Sequence, residues 1–112
     1  MAFCDDFFEN VVALVHFNGS DGAQSATDTS SYGRTVTFGN SAEIDTAQSQ
    51  FGGASCLFTQ ASPVNPSQSE VSMADAAELQ LGANSLYTLE AWVRKASGND
   101  RQVIASKYNN TG

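Results

Sequence analysis

Apolar and polar residues alternate along this chain in short runs, and clusters of glycine, serine, asparagine and aspartate separate the runs. The first strong run covers residues 11–17. Val11, Ala13, Val15 and Phe17 fall on one face of a strand, and Val12, Leu14 and His16 on the other. Both faces are largely apolar, so the spacing predicts a strand covered on both sides. Asn18, Gly19, Ser20, Asp21 and Gly22 end it with turn formers. The serine- and threonine-rich residues 23–33 read as a loop. Strands are predicted over 34–38, 42–46 (short and weak) and 55–59, with turns at 39–41 and 51–53. Residues 60–69 hold both prolines, Pro63 and Pro66, and read as an exposed connection. A short strand over 70–73 precedes one or two helical turns within 74–81. A helix that short needs a sheet to rest on. The longest strand candidate is 86–96, with Tyr87, Leu89, Ala91 and Val93 facing one way and Thr88, Glu90, Trp92 and Arg94 the other. Residues 97–100 read as a hairpin turn and 102–108 as the return strand.

Short strands with turns every ~8–15 residues are the signature of an antiparallel sandwich or barrel. The 112 residues suit one domain. Residues 1–9 read as an N-terminal extension and 10–112 as the domain. Hydrophobic residues make up 41% of the chain, which is ordinary for a globular fold.

Charge narrows the partners. Twelve acids against five bases give a net charge of -7. That sign repels phosphate and argues against nucleic acid and anionic membranes. Arg34 is the sole base before Arg94, and Arg94, Lys95, Arg101 and Lys107 follow together. No apolar run approaches the length of a membrane span, so no membrane insertion is expected. Residues 1–17 do not read as a secretory signal, because Asp5, Asp6 and Glu9 stand where basic residues belong. Synthesis in the cytoplasm is the expectation. Two cysteines do not make a disulfide framework; Cys56 reads as a small core residue and Cys4 as part of a loose terminus.

Four segments, in order, resemble the LamG-like, concanavalin A-like jelly-roll family common in bacteriophage structural proteins and bacterial surface proteins. They are VALVHFNGSDG at 12–22, DTSS at 28–31, FGGASCLF at 51–58 and YTLEAWVR at 87–94. The resemblance covers roughly residues 10–108. It implies an antiparallel jelly-roll β-sandwich, incomplete in this chain. Further strands would have to follow Gly112, or another subunit would supply them. One departure is TQASPVNP at 59–66, which replaces an acidic, glycine-rich turn of the family.

The chemistry on offer is sparse. His16 is the lone histidine and lies mid-strand, so a serine or cysteine nucleophile has no other base. Glu90 has no second carboxylate on its strand, so the pair needed for glycoside hydrolysis is missing. No enzymatic activity is expected, and no catalytic residue is named. Thr88, Glu90, Trp92 and Arg94 share one predicted face, a polar–aromatic platform of the kind that stacks a sugar ring. The alternative is that Trp92 packs under a loop. The resemblance also offers a structural calcium ion between early loops, with Asp28, and Asp21 nearby, as oxygen ligands. The alternative is that both are turn-forming aspartates.

These readings converge on a non-enzymatic structural or adhesion module of a virus or phage particle: a decoration, tail or fibre component. Its expected partners are other protein subunits and host-surface glycans, and its expected location is the virion. The alternatives are a carbohydrate-binding lectin module on a bacterial surface, or an accessory domain of a glycan-processing enzyme. The virion assignment rests on analogy, since a fold does not fix a function.

Overall fold

The computed structural model describes residues 7–59, 69–96 and 102–107. Among them lie six short strands: β1 Val15–His16, β2 Thr27–Asp28, β3 Val36–Gly39, β4 Glu43–Asp45, β5 Ser55–Leu57 and β6 Glu70–Met73. Helix is confined to two single 3-10 turns, Phe8–Asn10 and Ala77–Leu79. Among the described residues every strand pair is antiparallel and no α-helix occurs, consistent with an all-β fold.

Two strand groups form the body. In the first, β1 pairs with β2 through Val15 with Asp28 and His16 with Thr27. A bridge between Thr27 and Thr35 carries the pairing on towards β3. β3 in turn pairs with β6 along its length, from Val36 with Met73 to Gly39 with Glu70. The second group centres on β4. Its Ile44 lies opposite Cys56 of β5. On its other edge, the Ile44 N–H donates to the Ala23 carbonyl at 2.7 Å and its carbonyl accepts from the Gly22 N–H at 2.8 Å. Gly22 reaches that position with φ at 78°, a conformation glycine adopts without penalty. Ile44 is therefore flanked on both edges and is fully buried, together with Ala42 and, nearly so, Ala54. A Phe17–Phe38 edge-to-face contact, with centroids 6.3 Å apart, adds aromatic packing.

The predicted elements over 34–38, 42–46, 55–59 and 70–73 all contain strands, and the helical turn falls within 74–81. Four expectations need correction. The polar stretch 23–33 is not all loop, because β2 lies inside it. β1 is shorter than the 11–17 run and is covered on one side, with Val15 half-buried and His16 exposed. Residues 86–96 form no strand, and all are exposed. Nor do residues 102–107 form one. Alternation makes a strand possible, but a ladder needs a partner edge, and neither arm of the predicted hairpin has one among the described residues. The hairpin turn at 97–100, Tyr108 and Cys4 lie outside the described residues.

Candidate functional site

Asp28 is the best-connected side chain in the body. It is only 4% exposed. Oδ1 accepts from the backbone N–H groups of Leu14 and Ser30, each at 2.9 Å. Oδ2 accepts from the Ser30 hydroxyl at 2.8 Å and the Arg34 N–H at 2.9 Å. An aspartate that bonds the N–H two residues on is a common turn device, so the Asp-Thr-Ser spacing builds part of this centre locally. The longer reach to Leu14 fixes the chain just before β1, where the Thr29 N–H also donates to the Leu14 carbonyl at 2.8 Å. Burial alone would push the Asp28 carboxyl up. The N–H groups of Leu14, Arg34 and Ser30, with the Ser30 hydroxyl, outweigh it and hold the carboxyl down at about 2.

Arg34 extends the network. Its Nε donates to the Val12 carbonyl at 2.8 Å, and a terminal nitrogen meets Glu78 at 3.1 Å. The guanidinium also lies 4.6 Å from the centroid of Tyr32. One arginine thus ties the segment before β1 to the 3-10 turn at Ala77–Leu79. The Glu78 carboxyl is lowered, first by its own backbone N–H and then by Arg34.

These contacts bear on the calcium ligands that the family resemblance implies. Both Asp28 oxygens already face two donors each, so the carboxylate offers a cation no vacant lone pair. Asp21 is exposed, and its Oδ1 accepts from the N–H and hydroxyl of Thr46 at 3.1 and 3.2 Å. Among the described residues, no group of three His, Cys, Asp or Glu side chains is placed to hold a metal. The arrangement does not fit a calcium site. Asp28 instead accepts hydrogen bonds from Leu14, Ser30 and Arg34, and Asp21 accepts from Thr46.

The other predicted site takes a different form. Glu90 and Trp92 border an open cleft of about 680 Å³, with Leu14, Leu89 and Ala91 as the rest of its lining. Four consecutive residues line it, so the segment turns its edge to the cleft rather than one pleated face. Thr88 and Arg94 are exposed and do not line it. Trp92 is 77% exposed and meets Phe51 in an edge-to-face arrangement, with ring centroids 6.1 Å apart. Further along, the Lys107 ammonium pairs with Asp75 and pins residues 102–107 near the 3-10 turn. The Asp75 carboxyl is lowered, chiefly by that contact. His16 is exposed.

Sequence reading missed Ser30, Arg34 and the Leu14 backbone around Asp28. The DTSS segment carried the signal for Ser30, whereas the Arg34 and Leu14 contacts are set by the fold. No family model, curated protein or solved structure matches the chain. None of the helices among the described residues is long and apolar enough to cross a membrane.

Proposed function

We propose that this chain is a non-enzymatic structural or adhesion module of a virus or phage particle, built on a jelly-roll sandwich that a protein partner completes. The observation that carries this reading is the strand-patterned segment at residues 86–93. Leu86 is fully exposed, and Tyr87, Leu89, Trp92 and Val93 are all more than half exposed. A run of that composition in water is a surface awaiting cover. The order of the four resembling segments supports the particle setting. Mass spectrometry of purified particles tests it. The chain should be present at the stoichiometry of a structural subunit, and its absence from the particles sinks the reading.

A lectin role is the second reading, and the exposure of Trp92 beside Glu90 on an open cleft favours it. A largely exposed indole can stack on a sugar, with the Glu90 carboxylate beside it to accept from hydroxyl groups. A glycan array should then show binding that Trp92→Ala abolishes. No binding at millimolar sugar rejects this role and leaves the assembly role standing.

A further inference from the structure

β1 has one edge occupied and one edge open. Leu14 directs its N–H to Asp28 and its carbonyl to Thr29, and His16 pairs with Thr27. Successive backbone groups in a strand point to opposite edges, so the N–H and carbonyl groups of Val15 face away from β2. Leu14, the residue just before β1, lines the cleft together with residues 89–92. Residues 86–96 have no backbone hydrogen bond to any other described residue. Among the described residues, Val15 and the 86–96 segment thus both keep unpaired backbone groups, and Leu14 and residues 89–92 share one cleft.

We propose that the cleft takes residues 86–94 of a second copy of this chain, in a reciprocal exchange. Each copy's segment would pair with β1 of the other. The two segments would also pair with each other across a two-fold axis, giving one continuous antiparallel sheet. This deepens the assembly reading, on which it rests, by naming the partner.

Area and charge both favour a second copy. Leu86, Tyr87, Leu89, Trp92 and Val93, with nearby Phe51, are exposed apolar side chains. A buried aromatic contributes ~150–250 Å², so the set supplies on the order of the ~800 Å² per partner of a standard interface. Ten of the twelve acids precede Glu90, whereas four of the five bases follow Val93. An incoming segment that ends in Arg94 and Lys95 therefore meets a body of opposite sign. A reciprocal two-fold contact closes on itself, so the product is a dimer and not a fibre.

Sedimentation equilibrium of the full chain, paired with amide hydrogen exchange, tests this. The chain should be a dimer at micromolar concentration. Leu89→Asp should weaken association at least tenfold with the circular dichroism unchanged, because Leu89 is 65% exposed within its own chain. Protection of the amides at 86–93 should rise with protein concentration. A monomer at every concentration overturns the proposal, as does a dimer indifferent to Leu89→Asp. So does a monomer with residues 86–93 already protected, which would place the segment on its own β1. Oligomers that grow without limit overturn the two-fold closure. A monomer that is nonetheless found in particles sinks this inference alone, and a dimer absent from particles sinks the particle assignment alone.

Discussion

Replacing Asp28 tests the account of the body most directly. Its carboxyl drops from an ordinary 3.8 to about 2 on folding. At ~1.36 kcal/mol per pH unit, that drop corresponds to about 2–3 kcal/mol of stability. The sign follows from the direction. The folded value lies below the unfolded one, so the contribution is complete above pH 3.8 and fades as pH falls towards 2. Asp28→Asn keeps the shape but turns one oxygen into an NH₂ group. Whichever oxygen is lost, a backbone N–H of Leu14, Ser30 or Arg34 then faces another donor. Leaving such a group unsatisfied costs ~1–3 kcal/mol, on top of the lost charge-assisted bonds. Asp28→Asn should therefore unfold about 2–4 kcal/mol more easily at pH 7. Urea denaturation of both chains between pH 7 and pH 2 measures it. The other acids titrate alike in both chains, so the informative quantity is the gap between the two curves. The gap should hold steady down to about pH 4 and then narrow. A gap below about 0.5 kcal/mol at pH 7, the scatter of ordinary surface substitutions, or a gap that widens in acid, would refute the reasoning.

Two further outcomes follow from neighbouring contacts. Arg34→Ala removes the bond to the Val12 carbonyl, the ion pair with Glu78 and the contact with Tyr32, and should cost about 2–3 kcal/mol in the same assay. Glu78→Ala removes the exposed ion pair but leaves the Val12 bond and the Tyr32 contact, and should cost clearly less than Arg34→Ala; equal losses would show that those two contacts contribute nothing. Burial pushes the Cys56 thiol up to about 11, so at pH 8 only about one molecule in a thousand carries the thiolate. In a Cys4→Ser background, alkylation of Cys56 should be far slower in the folded chain than in urea, and equal rates would contradict its burial.

The amino-acid pattern by itself determined the class of the fold and much of its punctuation. β6 at Glu70–Met73 matches the predicted 70–73, and β4 and β5 lie inside their predicted runs. These were legible because alternation and glycine-rich turns act within a few residues. The alternation also marked the face of Thr88, Glu90, Trp92 and Arg94 as a candidate, and the family resemblance marked Asp28. What the sequence could not assign was their roles. Asp28 became a backbone anchor because the fold brings Leu14 and Arg34 to its two oxygens. β2 formed in a stretch with no apolar alternation because Thr27 and Asp28 found the β1 edge. Residues 86–96, the longest strand candidate, found none among the described residues. Side-chain periodicity encodes which residues can face a core. Whether a strand exists is decided by a second edge elsewhere in the chain, or in another chain, and only tertiary structure supplies that edge.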